Sequence, residues 1–199
     1  MKNKVNFKPI LLSTAISMGI LYGATSCTKS TTKANTPLVI KGIGTGEDVA
    51  KLDTTQRDRN FLCKAAEINL EEIWLGQLAQ QHSTYTYTKE LGQMMETDHH
   101  KVLDGLTLLA AKQAIDIPTL LDKQAQEDYR MLANKSGTDF DTSYCSLMIK
   151  GHKAAIDLFE TEANETSNTD IRNWATSTLP GLHKHLEHAT TCLAKVQKI

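Results

Sequence analysis

From residue 54 onward the apolar residues recur in alternating steps of four and three, the seam of a helix facing a bundle core. Four such stripes run Phe61-Ala65-Ile68-Glu72-Leu75-Ala79, Gly92-Met95-His99-Val102-Leu106-Leu109, Cys145-Met148-His152-Ala155-Phe159 and Ala175-Thr178-Leu182-His185-Ala189-Cys192-Val196. Each carries one ionisable residue at a core position. A carboxylate or imidazole is costly there unless it is paired, hydrogen-bonded or bound to a metal. Only four prolines in 199 residues and few β-branched runs favour helix over sheet. With a formal net charge of −1 and no cluster of Lys and Arg, no nucleic-acid surface is expected.

The first residues carry a processing signal rather than a piece of fold. Lys2, Lys4 and Lys8 form a basic start, and the apolar run from Ile10 to Tyr22 is shorter than the ~20 residues of a membrane span. Ala24-Thr25-Ser26-Cys27 resembles a bacterial lipobox. The expectation is a lipoprotein signal peptide over 1–26, lipidation at Cys27, and a soluble domain held to a membrane by that anchor. Thr28, not Asp, follows the Cys, and the sorting rules this resembles send such a protein to the outer membrane, facing the periplasm or the cell surface. Residues 27–53 are polar and carry Gly42, Gly44 and Gly46, so a flexible tether is expected.

The domain expected over 54–199 is all-α. Helices are predicted over 54–82, 85–114, 138–165 and 168–196, with a shorter one over 119–133 and a kink at Pro180. Short turns make the first two helices antiparallel, and likewise the last two. The simplest outcome is an up-down-up-down four-helix bundle, with the short helix between helices two and three returning the chain to much the same end.

If both short turns lie at one end, Glu72 is about ten residues below it, His99 and His152 about fourteen, and His185 about seventeen. At ~1.5 Å per residue the spread is roughly 10 Å, so all four approach one core layer. Asp98 and His188 stand beside them as supporting or alternate groups, and Glu96 makes an E-x-x-H pair with His99. Carboxylate di-iron bundles use two such pairs, and the second is missing here. Three imidazoles with one carboxylate suit zinc, copper or iron better than calcium or magnesium. The competing reading is a metal-free hydrogen-bonded layer that fixes helix register. The same arithmetic gathers Cys63, Cys145 and Cys192 at the lower end, where Cys145–Cys192 or Cys63–Cys192 could join in a disulfide, or all three could remain buried thiols. No Ser-His-Asp spacing, C-x-x-C or phosphate-cradling loop points to an enzyme.

Several segments together resemble a bacterial family of unknown function whose members are described as predicted outer membrane proteins and grouped with ferritin-like bundles. They are Phe61-Leu62 to Leu75-Gly76-Gln77-Leu78-Ala79, Met95-Glu96-Thr97-Asp98-His99, Leu109-Ala110-Ala111-Lys112, Phe140-Asp141-Thr142-Ser143-Tyr144, His152-Lys153-Ala154, and Leu179-Pro180-Gly181-Leu182-His183-Lys184-His185 through Ala189. The resemblance implies a ferritin-like fold and an envelope location. It places the family's Asp-His pair on Asp98-His99 and its later histidines on His152 and His185, with Gly151 where an Asp is common. It supplies no activity. Two functions follow as expectations: a non-enzymatic structural or stress-related module binding a protein or cell-wall partner, or a transition-metal-binding envelope protein, of which a di-metal oxidase relic is one form.

Overall fold

The computed structural model describes residues 46–198, with side chains from Thr54 onward. The expected signal peptide, the expected lipidation site Cys27 and the expected tether up to residue 45 lie outside the described residues. Five helices follow in order: α1 (Gly46–His82), α2 (Thr86–Lys112), α3 (Lys123–Ala133), α4 (Gly137–Glu165) and α5 (Thr169–Val196). Among the described residues there is no strand, and no helix is long and apolar enough to cross a membrane. The first helix starts eight residues before the expected Thr54, so the end of the expected tether is helical. Helix α5 runs unbroken through Pro180.

Four long helices pack around a shared core, with α1 most extensively against α2, and α4 against α5. The α1–α2 pairing is very close. A Cβ on Gly76 would stand 2.6 Å from the Gly92 carbonyl oxygen, and one on Gly92 would stand 2.7 Å from that of Gly76. Only residues lacking Cβ let the two backbones meet this closely.

The up-down-up-down order is corrected. At the end where α1 begins, Arg57 bonds Glu165, and the Thr166 hydroxyl donates to Asp58 Oδ1 at 2.9 Å. That end also holds the close of α2, where Lys112 pairs with Asp170 of α5. At the opposite end, the Ser83 hydroxyl after α1 donates to Asp141 Oδ1 near the start of α4 at 2.5 Å. The two short turns therefore lie at opposite ends, α2 and α4 run the same way, and the order is up-down-down-up. The physical cause is the 113–136 connection. It leaves Ile115 in the apolar cluster at the first end and carries Leu132 into the cluster at the other. On the way α3 lies along α1, with the Tyr129 ring edge-on to Trp74 at 6.1 Å.

The core divides in two. Phe61, Leu62, Leu106, Phe159 and Ile171 belong to the cluster at the start of α1. Leu75, Met95, Phe140, Met148 and Ala189 belong to the one at the far end. On every long helix the gap between clusters falls at a polar core residue: Asn69 and Glu72, His99, His152, and His185.

Candidate metal centre

Three of the four stripe residues meet. His99, His152 and His185 are each at most 3% exposed, and one ring nitrogen of each lies within 4.8 Å of the other two. His99 Nε2 is 3.4 Å from His152 Nε2, which is 3.3 Å from His185 Nδ1. Two nitrogens bound at ~2.0–2.1 Å to one tetrahedral ion are ~3.3–3.4 Å apart. The His99–His152 and His152–His185 spacings match this, and the third pair lies within 4.8 Å.

The outer nitrogens decide where the protons are. His152 Nδ1 lies 2.9 Å from the Met148 carbonyl oxygen, which can only accept. Its proton is therefore on Nδ1, and Nε2 presents a lone pair. His185 Nε2 faces Asp98 Oδ2 at 3.2 Å, so it holds its proton and Nδ1 is bare. His99 Nδ1 lies 2.9 Å from Asn69 Oδ1, and the Asn69 amide is fixed because its NH2 donates to the Ala65 carbonyl at 2.7 Å. His99 Nε2 is bare as well. Three lone pairs thus converge with no proton between them.

Burial keeps the rings neutral. It pushes His99 well below the ordinary imidazole range, helped by the neighbouring rings, and it pushes His152 down against the bond to Met148. Burial and His152 lower His185 to about 4, with Asp98 opposing. Neutral imidazole is the form that binds a metal. Asp98 is itself pushed up by burial, but bonds from Lys101 and His185 outweigh this and hold it below the usual carboxylate range.

Glu72 does not join the three rings. Its Oε1 lies behind His152, 3.5 Å from Nδ1, and its Oε2 is buried without a hydrogen-bond partner. Burial raises its carboxyl to about 8. Gly151 makes its room, since a Cβ there would stand 3.2 Å from Oε1. The Tyr144 hydroxyl is also buried and unpartnered. Of the supporting residues expected, Asp98 orients His185. Glu96 lies between α1 and α2, bonded by Gln77 and Gln80, and takes no part in the centre. His188 is exposed and lines a groove between α2 and α5.

Cys145 and Cys192 adjoin as free thiols, while Cys63 is separated from them. It lies on α1 beside Asp116, whose carbonyl oxygen is 3.7 Å from its sulfur, at the end where α1 begins. The gathering of all three at one end, and a Cys63–Cys192 bridge, were consequences of the wrong helix order. Asn69 was missed. Its signal was present: an amide in a helix interior, three residues before Glu72 on the same face.

Among curated proteins and among solved structures, nothing matches the chain. One family profile matches residues 45–192, which include all five helices but for the last turn of α5. The chain belongs to the family described as Domain of unknown function (DUF4142).

Proposed function

We propose that this protein is a transition-metal-binding helical bundle of the bacterial envelope, tethered to the outer membrane by lipid at Cys27. One observation carries the metal reading: the bare nitrogens of three buried imidazoles lie within 4.8 Å of one another, each ring held by an outer N–H bond to Asn69, Met148 or Asp98. A second bond that fixes tautomer and ring direction is the usual support of a metal-binding histidine. His99 Nε2, His152 Nε2 and His185 Nδ1 would hold the ion, and three nitrogen donors suit Zn2+, copper or Fe2+. When bound, the ion would supply a Lewis-acidic centre with a position open to a further ligand.

A metal-free layer that only fixes register is the weaker reading. Such a layer would satisfy its polar atoms internally, yet three acceptors face one another, and Glu72 Oε2 and the Tyr144 hydroxyl lack partners. A carboxylate di-metal site has less support still, because Glu96 is engaged elsewhere. The up-down-down-up order with one long crossover favours a ferritin-like classification.

Elemental analysis of untagged protein, with titration by Zn2+ and Co2+ after chelation, tests the metal reading. One equivalent per chain, with the visible bands of nitrogen-ligated Co2+ and loss of both in His152→Ala, is the expected result. Weak, non-stoichiometric binding that survives this substitution would contradict it. Incorporation of labelled fatty acid that disappears in Cys27→Ser tests the anchor, and unlabelled wild-type protein would sink that part.

A further inference from the structure

Two helical turns from the histidines, Cys145 of α4 faces Cys192 of α5 with 2.9 Å between sulfurs. The pair is buried, and a shift of about 1 Å would bring it to a disulfide bond length. The two thiols are not equivalent. Cys192 lines a 410 Å³ groove between α2 and α5, together with Tyr87, Glu90, His188 and Lys195, whereas Cys145 is fully covered. The Cys145 S–H donates to the Cys192 sulfur, and the Thr88 hydroxyl lies 3.7 Å from that sulfur. These contacts favour negative charge on Cys192, so its thiol lies below the ordinary range although burial opposes this. The same bond and burial push the Cys145 thiol up.

We propose that Cys145 and Cys192 form a redox-active pair, in which groove-side Cys192 reacts first with a small hydroperoxide and Cys145 then closes a disulfide. The narrow exposure of Cys192 selects a small oxidant. Its thiolate attacks one peroxide oxygen. The S–O bond forms, the O–O bond breaks, and the departing hydroxide leaves as water after taking a proton, so Cys192 becomes a sulfenic acid. Cys145 then attacks the Cys192 sulfur. The S–S bond forms, the S–O bond breaks, and a second water carries away the Cys145 proton. Two thiols and one hydrogen peroxide give one disulfide and two waters, with two electrons passing from sulfur to peroxide. A dithiol reductant reverses the bond by exchange.

The test uses the full-length protein, reduced and then treated with hydrogen peroxide in the presence of a chelator, so that its outcome is independent of the histidine centre. Peptide mapping after alkylation in denaturant should find Cys145 joined to Cys192. The link should raise Tm by roughly 10 °C by closing the long intervening loop, and dithiothreitol should undo both effects. In Cys145→Ser, dimedone should trap a sulfenic acid on Cys192. In Cys192→Ser, Cys145 should stay unmodified at the same peroxide dose. Alkylation of both Cys145 and Cys192 in treated wild type, a link through Cys63 instead, or equal reactivity of the two single thiols would overturn the proposal. Should either variant fail to fold, the wild-type peptide map decides alone.

Discussion

The ends of the bundle and its middle bury polar groups in opposite ways. At each end a hydroxyl in a short turn accepts a backbone N–H two residues on and donates to a carboxylate of a neighbouring helix. Ser83 takes the Tyr85 N–H and gives to Asp141, while Thr166 takes the Asn168 N–H and gives to Asp58. The two clasps repeat across the molecule: the turn after α1 grips α4, and the turn after α4 grips α1. Donor meets acceptor in both. In the middle, three rings meet acceptor to acceptor, and every donor they own points outward. The clasp groups are paired with one another, although Arg57 Nε and Glu162 Oε1 at the end where α1 begins find no hydrogen-bond partner. Groups left bare in a core, with their partners arranged behind them, are prepared for something that arrives.

The sharpest way to break this contrast is His152→Leu. Metal affinity should fall at least ~10³-fold by calorimetric titration, while stability without metal stays within ~1 kcal/mol of wild type or rises, because a ring that donates nothing inward is replaced by apolar packing. A large loss of metal-free stability would make the middle resemble the ends.

Acid should weaken the middle next. His185 has a folded pKa of about 4, below the ~6.5 of an unfolded histidine, so the unfolded chain binds its proton first as pH falls. The stability it contributes is whole above pH ~6.5 and is lost on the way down to about 4. Denaturant titrations of metal-free protein should show a loss of about 3 kcal/mol across that window, reduced in His185→Leu. Glu72 has the opposite sign. Its folded pKa of about 8 lies above the unfolded value, so its contribution fades as pH rises towards 8.

Asn69→Ala frees the His99 ring to turn and should weaken metal binding 10- to 100-fold, about 1.4–2.7 kcal/mol, with the fold intact by circular dichroism. Ser83→Ala acts on an end instead. It leaves the Asp141 carboxylate without its donor and should cost ~1–2 kcal/mol in denaturant unfolding, with metal stoichiometry unchanged. The smallest effect belongs to Ala114, which ends α2 at φ 54° and lets the Ile115 N–H return to the Ala110 carbonyl. Ala114→Gly should add ~0.5–1 kcal/mol.

Helix positions were legible because the four stripes hold their period for several turns, and most predicted ends fell within two residues of the observed ones. Helix order was not, because periodicity says nothing about direction. Chain length held the missing clue. Ten residues over 113–122, extended at ~3.3 Å each, and eleven helical residues at ~1.5 Å reach roughly 50 Å, more than the ~40 Å length of α2. A connection that long is needed for a crossover and superfluous for a return to the same end. The histidine layer survived the wrong order because His99 and His152 sit near the middle of their helices, equally far from either end. Cys145 and Cys192 sit near helix ends, so the same mistake put them at the end of Cys63, whereas they lie at the opposite one. Glu72 shares the layer but stands behind His152, a difference of direction within a turn that residue spacing does not resolve.

Anomalous diffraction from crystals of untagged, zinc-loaded protein tests the converging lone pairs where they meet. A zinc-edge peak ~2.0–2.1 Å from His99 Nε2, His152 Nε2 and His185 Nδ1 is the predicted result. Crystals with no peak there, in which a ring has turned its N–H into the centre to bond a neighbouring imidazole, would show instead that the middle is paired like the ends.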